Sequence, residues 1–223
     1  MLISADLLRR VGVRSADAWA GPLSAACTSQ GINTPPRIAA FLANVLHETA
    51  MLRVLRESLN YTPAALLAQW PSHFTPAQAR EFGRTSEHVA DEFQIAEHAY
   101  GGRYGNGPVG SGDGWIFRGH GGLCTTFRAN HDDLSKAIGW KDILEQLPDF
   151  LATVPGACTS AVLYWTSRNC NRYADHGDIK TVRRLINGGL IGFPVVNLLY
   201  SSLLANLKID ALNEASLQKA HVK

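Results

Sequence analysis

The sequence predicts an all-α protein, mainly helical with little or no sheet, on three grounds. Apolar residues recur at helical spacing along most of the chain, Ser, Thr, Asp and Pro stand where helices would begin, and strand signals are scarce. Together they predict helices over residues 4–11, 15–29, 36–51, 63–68, 76–83, 86–98, 132–138, 142–146, 148–153, 158–169, 178–187 and 194–208. The third is the best marked. Ile38, Phe41, Leu42, Val45 and Leu46 follow the i, i+3, i+4, i+7, i+8 spacing of one buried stripe. Thr34 is a natural N-cap, and Pro35 and Pro36 suit a first turn, where a missing amide proton costs nothing. Further on, Asp178 caps IKTVRRLIN, the Gly188-Gly189 pair ends it, and Pro194 opens the last long helix. The exception is Gly101–Gly122, which holds ten of the chain's twenty glycines and is expected to be mostly loop.

A chain of 223 residues, 46% hydrophobic and 18% charged, can bury its own core without a metal or disulfide staple. One domain with two lobes, spanning residues 1–223, is the default. The net charge of +2 does not identify a partner, but no Lys/Arg block reaches the length of a nucleic-acid or membrane-surface patch, so no nucleic-acid partner is expected. Cys27, Cys124, Cys158 and Cys170 show neither zinc-site spacing nor the density of a secreted disulfide scaffold, so reduced thiols are expected. The start, MLISADLLRRVGV, lacks the pattern of a signal peptide, and no run approaches 18 uninterrupted apolar residues. Synthesis in a cytoplasm without stable membrane insertion is expected.

Two carboxylates carry the chemical reading. On the helical wheel Glu48 lies at the edge of the stripe containing Phe41 and Val45, while His47 points the other way. A carboxyl beside apolar side chains is harder to ionise, the state a general acid must hold near neutral pH. Nine residues later Glu57 follows Arg53 and Arg56 and precedes Ser58 and Asn60, a setting that keeps a base charged. Two acids in unlike settings point to glycoside hydrolysis. The bland alternative is a solvated Glu48 and a Glu57 paired with Arg53 at helical spacing.

Tyr104, Trp115 and Phe117 are interleaved with the glycines of residues 101–122. A flexible tether has no use for such aromatics, whereas a shaped surface can lay their faces against sugar rings. Phosphate binding is disfavoured, since GxxxxGK[ST] does not occur. A zinc protease fails because HExxH would need histidine where Met51 stands. A Cys/His hydrolase built on Cys124 with His120 or His131 stays open as a minor alternative. Asp113, Asp175 and Asp178 read as loop or capping residues, and His88 and His176 as surface or cap histidines.

Three separated segments, HETAMLRVLRESLNY, YGNGPVGSGDGWIFRGHGGLCTTFRANH and ADHGDIKTVRRLINGG, resemble bacteriophage endolysins of the glycoside hydrolase family 19 type, relatives of family 19 chitinases in the lysozyme superfamily. The resemblance covers roughly residues 15–205 and implies a lysozyme-like helical fold of two lobes around a cleft, lined by the loop 101–122. It makes Glu48 the general acid and Glu57 the second carboxylate, gives Thr126 the attacking water, and puts Asn130 and Asn187 at the sugar. Tyr61, Tyr104, Asn106, Trp115, Arg118, Cys124 and Arg184 complete the candidate substrate-binding set. Departures accompany the matches. The family's Gln is Cys124, which cannot supply an amide's donor and acceptor together; an arginine between glycines is His120, a proline is Gly122, and Ser-Gly-Gly after the acid is Thr49-Ala50-Met51.

The resemblance implies an inverting hydrolase acting on the β-1,4 bond between aminosugars of bacterial peptidoglycan strands. No cofactor or metal is called for, no separate wall-binding domain is expected, and a monomer is the default. Made in the host cytoplasm, such a protein would reach the wall only after release. The rival readings are a chitinase acting on an uncharged GlcNAc polymer and a glycan-binding relative without catalysis.

Overall fold

The computed structural model describes residues 3–140 and 148–221, so the expected helix at 142–146 lies outside the described residues. Twelve α-helices occur among them: α1 (Ala5–Arg10), α2 (Ala16–Ser29), α3 (Pro35–Glu48), α4 (Pro63–Gln69), α5 (Pro76–Phe82), α6 (Glu92–Tyr100), α7 (Asp113–Ile116), α8 (Arg128–Ala137), α9 (Val154–Ser167), α10 (Cys170–Asp175), α11 (Ile179–Asn187) and α12 (Phe193–His221). Pro148–Ala152 forms a 3-10 turn, and no strand longer than an isolated bridge occurs among the described residues. The all-α class read from the sequence is what is observed.

By its internal contacts the chain divides into two compact units, residues 1–55 with 153–223, and residues 56–152. In the first unit α3 is the central element, packed by α10, α11 and α12, while α2 packs on α1 and α9. The single stripe expected of α3 is too modest, because every residue from Ile38 to Leu46 is buried, Asn44 included. Phe41 meets Trp165 of α9 edge to face at 5.5 Å between ring centres, and the Trp165 indole N–H donates to Asn171. Burying each such large side chain contributes about 1.5–3 kcal/mol.

The core of the second unit comprises Leu59, Leu66, Phe74, Ala79, Ile95, Ala96, Ala99 and Tyr100, with Tyr61, Trp70, Trp115 and Phe127 packed against it. Thr62, Thr75 and Asp91 cap α4, α5 and α6 through their side chains. The cap at Asp91 explains why α6 starts at Glu92 rather than near residue 86. Thr153 likewise accepts from the Gly156 amide and starts α9 ahead of the expected residue 158. Cys27, Cys158 and Cys170 are buried free thiols, and burial pushes the latter two up to about 12.

Helix α3 ends at Glu48 instead of continuing to Met51, because Ala50, Met51 and Leu52 all take positive φ, 47°, 66° and 62°. Left-handed backbone costs an L-residue about 1–2 kcal/mol relative to its ordinary conformation. The turn is clamped by the buried Thr49, whose hydroxyl donates to the Val45 carbonyl at 2.6 Å and accepts from the Leu52 amide at 2.9 Å. Ala50 is exposed and loses no packing on replacement. Ala50→Gly should therefore raise stability by about 0.5–1 kcal/mol, the strain relieved exceeding the entropy glycine adds to the unfolded chain; urea denaturation of the two proteins would measure it, and a loss of stability would contradict the strain assigned to this turn.

Candidate active site

Glu48 occupies the last position of α3 in the first unit. Its carboxylate is held by Arg183 of α11, Nη1 to Oε1 at 2.5 Å, rather than set among apolar side chains as the helical wheel implied. The Arg183 side chain is only 1% exposed, and its remaining donors reach the Ile191 carbonyl at 2.8 Å and Asn44 Oδ1 at 3.4 Å. His47, one residue before, abuts Gly192, where an added Cβ would collide with the imidazole. Burial, then the Arg183 charge, lowers the His47 pKa, with Glu48 opposing.

Glu57 lies in the second unit and is also positioned, by different groups. The Tyr100 hydroxyl donates to Oε1 at 2.6 Å and the Gly119 amide to Oε2 at 3.1 Å, while the Glu57 amide donates to the Gly119 carbonyl at 2.8 Å. The arginines expected to attend it are engaged elsewhere. Arg53 donates to the Ala50 carbonyl and Arg56 pairs with Asp149 at 3.2 Å. No side chain fits at Gly119, since a Cβ there would strike Cys124 Sγ and press on Glu57. Tyr61, Tyr100 and Cys124 thus gather around this carboxylate. Burial first, then the Glu57 charge, raises the pKa of both tyrosine hydroxyls and keeps them protonated donors.

The other candidates divide by exposure. Thr126 donates to the Cys124 carbonyl at 3.1 Å, and Asn130 to the Thr126 carbonyl at 2.6 Å, one turn apart at the start of α8. Tyr104 is 67% exposed, its ring 4.8 Å from that of Phe127. Asn106 is buried, donating to the Tyr100 carbonyl and accepting from the Arg128 amide, so it shapes the loop from inside. Arg118 is buried with its guanidinium 3.7 Å from the centre of the Trp115 ring, covering one aromatic face. Arg184 and Asn187 lie exposed on α11 in the first unit.

Three residues escaped the sequence reading. Arg183, not its neighbour Arg184, meets Glu48. Tyr100 orients Glu57. Glu97, fully buried on α6, accepts from the amides of Gly110, Gly112 and Trp115 and so folds the glycine-rich loop around one carboxylate. Asp113, taken as a loop residue, is nearly buried, accepts from the Gly107 amide and pairs with Arg128 at 2.7 Å. Asp175 pairs with Arg37 at 2.6 Å, whereas Asp178 caps α11 as its position indicated. Among the described residues no cluster of three metal-ligating side chains occurs.

The chain is mainly helical and holds each of the two glutamates by its own partners, and comparison with known proteins supplies both the class, glycoside hydrolase, and the family. The chain is 30% identical over 205 residues to a glycosyl hydrolase family 19 domain-containing protein of Haemophilus influenzae, a match covering 92% of this chain and 96% of the relative. It belongs to glycoside hydrolase family 19. A scan of protein-family models returned no match.

Removing the Arg183 side chain would strand the Glu48 carboxylate and leave a hole beside α3, so Arg183→Ala should cost about 3–5 kcal/mol, read as a lowered denaturation midpoint. A pH effect comes from the second unit. His120 is 1% exposed, and burial, with Arg118 and His131 adding to it, lowers its pKa from 6.5 to about 4. The unfolded chain therefore binds a proton that the folded chain refuses between these values. Stability should fall as pH drops from about 6.5 to 4, by up to an order of 3 kcal/mol from His120, with buried His131 shifted in the same direction. Thermal midpoints across that range would register it, and His120→Asn should flatten the decline.

Proposed function

We propose that this family 19 member degrades bacterial peptidoglycan, hydrolysing the β-1,4 bond between its aminosugars with inversion at the anomeric carbon. The observation that carries the reading is the likeness to a family 19 protein along nearly the whole chain, joined to two glutamates each fixed by its own partners. Glu48 is the general acid that protonates the leaving oxygen, and Glu57 the base that removes a proton from water, with Thr126 helping to hold that water. In such a mechanism the water attacks from the face opposite the leaving group, with the two carboxyls roughly 6.5–9.5 Å apart. No cofactor enters the reaction. Exposed Tyr104, with Tyr61 and Asn130, would meet sugar, and the protein would act as an endolysin that reaches the wall after release from the cytoplasm.

A second reading, a glycan binder without catalysis, is favoured by Cys124. It replaces an amide with a thiol beside Glu57 and sits at a strained φ of 53°. The chitinase alternative differs in substrate alone. Mass spectrometry of muropeptides after digestion of purified walls separates all three. New reducing ends on wall fragments support the lytic enzyme, release from chitin alone the chitinase, and wall binding without new ends the binder. Glu48→Gln should lower wall lysis by about 10²–10⁴-fold, the usual contribution of a positioned acid or base, and so should Glu57→Gln; undiminished lysis by either variant, with the fold intact by circular dichroism, would sink the role assigned to that residue.

A further inference from the structure

Helix α12 is apolar on two opposite sides. Val196, Leu203 and Leu207 are buried on the side that faces the rest of its unit, where α12 packs on α3. Yet the stretch Phe193–Asn213 has the length and composition of a membrane-crossing helix, and few of its residues are buried. The remainder includes a second apolar row. Val195, Leu198, Ile209 and Leu212 are 51%, 72%, 55% and 68% exposed, and the exposed Ser202 and Ala205 stand between them. These six positions are spaced 3, 4, 3, 4, 3, the seam of a coiled coil. At 100° per residue the row lies nearly opposite the buried side.

We infer that this row is a self-association surface, on which α12 of a second copy of the chain packs antiparallel. The pattern is its own complement. Reversed upon itself it sets Val195 against Leu212, Leu198 against Ile209, and Ser202 against Ala205 of the second copy, which is the a-to-d pairing of an antiparallel coiled coil. The bulky pairs meet at the two ends and the small residues let the backbones approach at the two-fold axis, as an isologous contact requires. The charge pattern does not oppose it: between Val195 and Leu212 the ionisable groups are Tyr200, Lys208 and Asp210, and the antiparallel register sets Lys208 against Leu199, and Asp210, which pairs with Arg10, against Asn197.

A lipid surface fits less well. The opposite side of α12 is committed to α3, so the helix cannot cross a bilayer, and lying on an anionic surface would call for a row of Lys or Arg beside the apolar face. Lys208 is the one cation between Phe193 and Asn213. The seam is about 26 Å long, 17 rises of a helix about 10–12 Å wide, so it covers roughly 300 Å² on each copy. That is well below the roughly 800 Å² per partner of a standard interface, so the dimer is weak and concentration-dependent.

Sedimentation equilibrium of the full chain, in a series reaching about 1 mM to match a contact of this size, tests the proposal. A monomer–dimer equilibrium is expected, with Leu198→Glu and Ile209→Lys each weakening association at least about tenfold, by about 1.4 kcal/mol. Both positions are exposed, so melting curves should match the parent protein. Carried together in one chain, L198E and I209K should restore the dimer, since antiparallel pairing sets each new carboxylate against a new ammonium. A parallel seam would oppose like charges and leave the double variant monomeric, which would overturn the arrangement. A parent chain that stays monomeric throughout, or one that instead co-sediments with phosphatidylglycerol vesicles, would overturn the second copy as occupant.

Discussion

A guanidinium withdrawn from water must have its charge answered within the protein, and Arg183 of α11 is 99% withdrawn. The answer is Glu48 at the end of α3, with the Asn44 amide oxygen and the Ile191 carbonyl taking further donors. One side chain thereby ties the central helix of its unit to α11 and to the turn before α12. A buried pair of this kind adds little net stability over an apolar substitute, but breaking it by removing one partner is costly. Its main consequence is geometric. Glu48 has its rotamer fixed by a cation that itself cannot move without unpairing three groups.

Glu57 is oriented by dipoles instead. A tyrosine hydroxyl and a backbone amide each donate to one of its oxygens, and no cation touches it among the contacts described. The same device recurs nearby, where Glu97 gathers three loop amides and Asp113 a fourth. A loop dense in glycine exposes backbone donors that would be left unpaired if it were buried. Two carboxylates beneath it supply acceptors, and their burial is tolerable because amides and Arg128 answer the charge. The loop is shaped by its hydrogen bonds to acids more than by its aromatics, whose faces are partly covered, as Trp115 is by Arg118.

Much of this was legible in the sequence, because helix period, caps and glycine density are local signals. The starts of α4, α5 and α11 follow from the side-chain caps of Thr62, Thr75 and Asp178, whereas the Thr34 hydroxyl finds no partner and α3 opens on Pro35 and Pro36 without that cap. The two glutamates stood out by motif. Their partners did not, since Arg183 is 135 residues from Glu48 and Tyr100 is 43 from Glu57. A helical wheel assigns a face and says nothing of what arrives on it from elsewhere. For Arg183 a signal was available, because it sits between buried Val182 and buried Ile186 while Arg184 falls on the solvent side. A cation on the apolar face of an amphipathic helix needs an acid, and Glu48 was the acid already placed at a helix edge.

Strained backbone occurs close to both carboxylates. Ala50, Met51 and Leu52 follow Glu48 after the single residue Thr49, and Cys124 and Phe127, both without glycine's freedom, take positive φ in the segment that carries Cys124 beside Glu57. The resemblance to family 19 places glycines at two of these positions, where the conformation would be free of strain. Here side chains occupy them and the backbone keeps the shape regardless, so something must hold it. Thr49 does so after Glu48. Buried to 1%, it accepts the Leu52 amide on its hydroxyl and the Arg53 and Val54 amides on its carbonyl, closing the turn from both sides. Around Glu57 the corresponding clamp is the pair of bridges joining His120 to Arg56 and to Thr125, with Cys124 between the bridged residues. Conformations that cost about 1–3 kcal/mol each persist only where the surroundings over-determine them. Of the seven non-glycine residues at positive φ among the described residues, only Tyr104 and Asn169 stand outside these two clamped segments, so most of the strain is held by the turn after Glu48 and the segment that carries Cys124 beside Glu57.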